Sequence, residues 1–234
     1  MYHIYLNEEC SEALQLYVVR RPDIPSPQKR YNEKSIPGRD GKLYEDTGFY
    51  EDVKIDIELN YMTSPDNWNS VWRAAKRWIL EAAGKRLSCS DDRSVYHRIK
   101  KVELSDNARN SVRIGRFTAS FTLDPYTYLV SGMRTYTPEQ IKNNQYEVTT
   151  PVYIMKGEGV CILTVNGHAI RANVGQNLII DTYRRIAYRD DGILNNTAIS
   201  GSYEDMLLIE GANTITVSDP TKFKLEVQPN WRCI

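Results

Sequence analysis

Apolar and polar residues alternate along much of this chain, and they follow a helical spacing only once. The two-residue period is plainest at Val53, Ile55, Ile57, Leu59 and Tyr61, with Lys54, Asp56, Glu58 and Asn60 between them. That is the signature of a strand with one buried and one wet face. The period returns at Val112 and Ile114, at Phe117, Ala119, Phe121 and Leu123, and at Phe223, Leu225 and Val227. Sheets are therefore expected in both halves. One segment reads as a helix, because Trp68, Val71, Trp72, Ala75, Trp78, Ile79 and Ala82 fall on a single face. Ser64-Pro65-Asp66 opens it, with Ser64 or Asp66 offered as the cap, and Gly84 closes it. Three tryptophans on one stripe predict a helix lying across a sheet, with burial worth on the order of 10 kcal/mol before entropy is subtracted.

Turn chemistry divides the rest. A polar stretch around Ser131-Gly132 and Thr137 to Gln145 places a domain boundary near residues 131–150, giving domains 1–134 and 135–234. Beyond it, short strand-like pieces are expected between turns at Lys156 to Gly159, Asn166-Gly167, Asp191-Gly192, Gly201 and Glu210-Gly211. Asn166-Gly167 is the strongest hairpin signal, since both central residues of a type I′ turn need positive φ. Several short strands at such intervals predict a β-sandwich.

A charged, proline-punctuated segment from Asp23 to Gly48 stands apart, with Pro22, Pro25 and Pro27 at its start and Ile36-Pro37-Gly38-Arg39-Asp40-Gly41 at its centre. It cannot supply a core of its own. It does offer Tyr31, Ile36, Leu43, Tyr44 and Phe49, apolar side chains that need a surface to cover. A long hairpin arm with about 12 residues per limb, reaching roughly 40 Å at about 3.3 Å per residue, fits these features.

Composition narrows the function classes. Lys plus Arg equals Asp plus Glu, 30 against 30, so no net field draws the chain onto nucleic acid or an anionic membrane. No apolar run approaches the roughly 18 residues of a membrane span, and the opening residues lack a secretory pattern, so a soluble protein made in the cytosol is expected. The four cysteines, Cys10, Cys89, Cys161 and Cys233, are scattered and read as thiols. Catalytic signals are weak. His3, His97 and His168 form no metal-binding run, and no nucleophile elbow, phosphate loop or dinucleotide fingerprint is present. Cys89, Asp91, Asp92 and His97 read as a strand end, a turn and the next strand. Asp190 and Asp191 are neighbours in a turn and cannot face one another across a sugar. No enzymatic role, cofactor or metal is expected. The basic pairs Arg20-Arg21, Lys29-Arg30, Lys100-Lys101 and Arg184-Arg185 read as solvated faces or as the lining of a lumen that DNA crosses.

The order of the pieces resembles the distal tail protein family of siphophages. The resemblance rests on Ser35 to Leu43 followed by Tyr50 and an alternating strand, and on the tryptophan-rich helix ending before Leu87-Ser88-Cys89-Ser90-Asp91-Asp92. In the second half it rests on Pro151 to Gly159, the Val165-Asn166-Gly167 hairpin, Gly211 to Ile215 and the closing Pro229-Asn230-Trp231-Arg232. It implies a mainly β fold: an N-terminal β-sandwich or split-barrel-like domain with one helix and an extended hairpin arm, then a C-terminal galectin-like β-sandwich. The implied role is a structural virion protein at the tail tip, made in the host cytoplasm. The implied partners are further copies in a hexameric ring, the tail tube protein, and a tail-associated lysin or receptor-binding protein. DNA would pass through the ring without specific binding, and no membrane is involved. Tyr31, Ile36, Pro37, Gly38, Arg39, Asp40, Gly41, Leu43 and Tyr44 are the candidate subunit-interface residues. The alternative is a carbohydrate-binding module recognising cell-wall glycan. Against it, Asn166 and His168 sit on a tight turn in the wrong order for a galectin site, and Trp231 reads as core packing of the last strand.

Overall fold

The computed structural model describes residues 2–109 and 111–234. It is mainly β, with a single α-helix among the described residues. Two compact units divide the chain, one ending at Thr127 and one running from Tyr128 to Cys233. No described helix is long and apolar enough to cross a membrane.

The first unit contains β1 (Ile4–Leu6), β2 (Lys29–Ser35), β3 (Lys42–Tyr50), β4 (Val53–Met62), α1 (Trp68–Leu80), β5 (Arg86–Cys89), β6 (Asp92–Leu104) and β7 (Ile114–Leu123). Strand β4 runs antiparallel to β7 over its whole length, from Val53 opposite Leu123 to Met62 opposite Ile114. The five alternating apolar residues of β4 are all buried, as their period requires. Strand β6 is long enough to serve two neighbours: Ile99 to Leu104 pair with β7, while Asp92, His97 and Arg98 pair with β5. Strand β5 in turn pairs with β1.

Helix α1 packs on β6 and β7 and buries Trp68, Ala75 and Ile79. Trp72 lies against Phe117, with ring centroids 4.9 Å apart, but is only half-buried. Trp78 is half-buried too, and its indole N–H donates to Glu9 at 2.8 Å. The tryptophan stripe thus straddles the rim of the core. The helix is entered through a 3₁₀ turn, Pro65–Asn67, with Asp66 inside that turn, and neither Ser64 nor Asn67 makes a side-chain cap bond, which corrects the expected Ser64 cap. Gly84 follows the last turn at φ +81°, the left-handed conformation expected there. Gly115 is required for another reason: it sits opposite Tyr61, and any Cβ would collide with the Tyr61 ring. The Tyr61 hydroxyl accepts a hydrogen bond from Asn107 Nδ2 at 2.7 Å, and its ring leans on Trp68.

The second unit is built on one long hairpin, β8 (Val152–Val165) and β9 (His168–Asp181), with β10 (Ile186–Tyr188), β11 (Ile215–Val217) and β12 (Lys224–Gln228) around it. Asn166 and Gly167 both have positive φ, 49° and 88°, and Val165 pairs with His168, the turn expected from the sequence. The turn is fixed from its side, because Asn166 Nδ2 donates to Asn213 at 2.9 Å and Asn166 Oδ1 accepts from the Thr214 amide at 2.9 Å. The expected turn at Lys156 to Gly159 is absent. Those residues lie inside β8, paired in turn with Asn177, Gln176, Gly175 and Val174, and Gly157 and Gly159 at φ +151° and +102° let one continuous strand bend. Phe223 and the Lys222 carbonyl close over Gly157, where a Cβ would not fit. The two halves of β8 accordingly take different partners, β12 at Val152 to Lys156 and β11 at Leu163 to Val165. Residues from the polar stretch after Tyr128 pack on this unit: Ile141 joins its core, Tyr136 bridges to Val227, and Thr137 and Gln140 form a capping box. Trp231 is buried beside Tyr146.

Candidate assembly surface

The segment from Lys29 to Tyr50 is a two-stranded hairpin, β2 against β3. Of the expected interface residues, Tyr31 lies on β2, Leu43 and Tyr44 lie on β3, and Ile36, Pro37, Gly38, Arg39, Asp40 and Gly41 form the tip; all nine are exposed. Gly38 and Gly41 turn the tip with φ near +80°, and the Arg39 amide donates to the Ile36 carbonyl at 3.2 Å. The first limb begins at Lys29, short of the expected start at Asp23. Pro25 and Pro27 have no amide hydrogen to give a ladder. With seven and nine residues in its limbs, the hairpin reaches roughly 25 to 30 Å including its tip, at about 3.3 Å per residue, less than the length expected from the sequence.

Register assigns its faces. Tyr31 opposes Asp46, Glu33 opposes Tyr44 and Ser35 opposes Lys42, so these six share one face; Asn32, Lys34, Leu43 and Glu45 share the other. Tyr31 and Tyr44 meet edge to face, centroids 6.2 Å apart. Ion pairs run diagonally along both faces: Lys34 to Glu45 at 2.8 Å, Lys29 to Asp46 at 2.8 Å, and Lys42 to Glu33. Hydrogen bonding to Lys29, reinforced by the Gly48 amide, holds the Asp46 carboxyl below the ordinary carboxylate range. At the base, the Glu51 amide donates to the Gln28 carbonyl at 2.7 Å and Tyr50 packs edge-on against Tyr126.

An isolated two-stranded hairpin is marginal in water, and exposed ion pairs add little. The charges along its two limbs are nevertheless paired, Arg30 with Glu51 among them, while Arg39 and Asp40 at the tip and the apolar side chains stand exposed. Tyr44 is 59% exposed and Phe49 66%, with Tyr31, Ile36 and Leu43 exposed beside them. Phe49, one of the five apolar side chains the sequence offers for such a surface, lies near the end of β3 beyond Asp46.

Other sequence candidates have local roles. Cys89 pairs with Asp92 across a tight turn, and burial pushes its thiol pKa up, the opposite of an activated cysteine. Burial lowers the pKa of His97, which bonds to the Tyr126 backbone. Asp191 accepts from the Ile193 amide at 2.9 Å and so closes its own turn. The basic pairs are shared out among carboxylates, Arg20 with Asp23, Lys101 with Glu103 and Arg185 with Glu204.

No protein-family model matches the chain, and no curated protein sequence is detectably similar to it. Its structure is similar to that of the Dit protein (gp 19.1) of phage SPP1, described as a paradigm of the hub adsorption apparatus in phages that infect Gram-positive bacteria. The two share 12% of residues, a TM-score of 0.67, and 97% of each chain. At that identity the likeness is one of fold.

Proposed function

We propose that this chain is a distal tail protein of a long-tailed phage or prophage, a non-enzymatic subunit that closes into a hexameric ring where the tail tube ends. The observation that carries this reading is the likeness in fold to a phage hub protein over nearly the whole of both chains. A shared sandwich alone would not suffice, since such folds host many functions. Here the match covers 97% of each chain, so it takes in both units.

In this reading the first unit forms the ring and its hairpin lies over the adjacent copy, a head-to-tail contact of the kind that closes into a ring. Five apolar side chains, each about half exposed, would gain roughly 4 to 8 kcal/mol on being covered. Association costs on the order of 4 to 15 kcal/mol in lost freedom, so the arm supplements a body-to-body contact and does not replace it. Being already paired as a hairpin, it loses little further entropy on docking. The second unit, in the same reading, offers the surface that a tail-associated lysin or receptor-binding protein would contact. The balanced charge of the chain suits a ring through which DNA passes without being held. A free-standing glycan binder gains no support, because Trp231 is buried and cannot stack on a sugar.

Class averages of the purified protein by negative-stain electron microscopy test the proposal. Six-fold rings are the expected result, and particles the size of one chain at every concentration would overturn it.

A further inference from the structure

We propose that His3, Cys10 and Glu12 bind a divalent cation of the zinc type. One ligand atom from each residue lies within 4.8 Å of the other two. In a tetrahedral zinc centre, metal–ligand distances of about 2.0 to 2.3 Å put the donors roughly 3.3 to 3.7 Å apart. About 1 Å of side-chain adjustment therefore converts the observed cluster into a coordination shell.

The backbone beneath the cluster is fixed. Strand β1 returns on itself at Asn7, φ 57°, so that Tyr5 pairs with Cys10, and the 3₁₀ turn Ser11–Leu14 then carries Glu12 back over His3. The amide and carbonyl of His3 are both bonded to Ser90, at 3.1 and 3.0 Å. No long loop has to close when the cation arrives.

The histidine provides a second, independent observation. Its side chain is only 12% exposed, Nε2 stands 3.7 Å from Glu12 and beyond hydrogen-bond reach, and Nδ1 is buried with no partner. A ring nitrogen buried without a partner, as Nδ1 is, is an exception among native side chains. A cation seated among the three groups gives this imidazole, at one of its nitrogens, a bond that no protein group supplies. Thiolate, imidazole and carboxylate together suit zinc and disfavour magnesium or calcium, which prefer all-oxygen shells. The fourth position opens toward solvent beside the exposed Glu12. The spacing H-x₆-C-x-E matches no familiar metal-binding run, and only the tight β1 turn brings the residues together.

Cobalt(II), added to the reduced, metal-free full-length protein, is the probe. The expected result is a one-to-one thiolate-to-cobalt charge-transfer band that zinc bleaches, that Cys10→Ser abolishes, that His3→Gln weakens, and that Cys233→Ser leaves intact. In the unaltered protein, zinc should also slow alkylation of Cys10 but not of Cys233, as followed by mass spectrometry. The proposal is overturned by the absence of a band in excess cobalt, by a band that survives Cys10→Ser, or by equal alkylation of Cys10 with and without zinc.

Discussion

Strands β3 and β4 are separated by two residues, share an extended backbone, and differ in what they face. Every apolar residue that alternates along β4 is buried, and its polar residues line the wet face. Along β3, Leu43, Tyr44 and Phe49 are all exposed, and among its nine residues only Thr47 and Tyr50 are even half-covered. The same local conformation is stabilised in one case by a core and in the other by a single partner strand and surface ion pairs. A strand of the first kind belongs to its own unit. One of the second kind carries apolar area that its own chain leaves bare.

This contrast can be broken most forcefully in the core. Phe121 is fully buried on β7 opposite Ile55, and Phe121→Ala should cost about 3 to 5 kcal/mol in denaturant unfolding; a loss under about 1 kcal/mol would mean the sheet does not pack as described. Next in size is Gly115→Val, which must displace the Tyr61 ring from Asn107 and Trp68. A cost of about 1 to 3 kcal/mol is expected from overpacking, with an altered near-ultraviolet dichroism signal, and an unchanged spectrum would count against that contact. On the arm, Tyr44→Ser combined with Phe49→Ser should leave unfolding within about 0.5 kcal/mol of the parent while lowering the mass seen by light scattering. A large loss of stability without a change in mass would place those rings in the unit's own core.

The smallest effect lies on the wet face of β4. A hydrogen bond from Arg116 holds the Glu58 carboxyl below the usual carboxylate range. The contribution is therefore present above the unfolded-state pKa and is lost as pH falls through the folded one. Glu58→Gln should melt slightly below the parent at neutral pH and converge with it in acid, the gap narrowing as salt is added. A gap that widens in acid would reverse the sign and refute the assignment.

Much of this was legible in the sequence where a single physical rule decides. Strand β4 follows from its period, the β8–β9 turn from Asn166-Gly167, and the arm's lack of a core from its prolines and charges. Other features turn on tertiary partners. Lys156 to Gly159 has the composition of a turn, yet it is a bend in β8 because β9 stays paired alongside and Phe223 packs on Gly157. Trp72 has the spacing of a core residue but is only half-buried, one side of its ring against Phe117. Ser64 has the right chemistry for a cap but precedes a 3₁₀ turn, so its side chain finds no amide. His3, Cys10 and Glu12 gave no signal, since their proximity depends on the reversal at Asn7.

The exposed hairpin is the centre of this account, and replacing residues 30–49 by a short Gly-Ser turn tests it most directly. The replacement keeps the Glu51-to-Gln28 bond and the Tyr50–Tyr126 contact at the base. Light-scattering mass and thermal unfolding should be measured together on the parent and the variant. The account predicts a ring for the parent and a shift to single chains for the variant, with the melting of each unit nearly unchanged. A variant that keeps the parent's ring mass would contradict it.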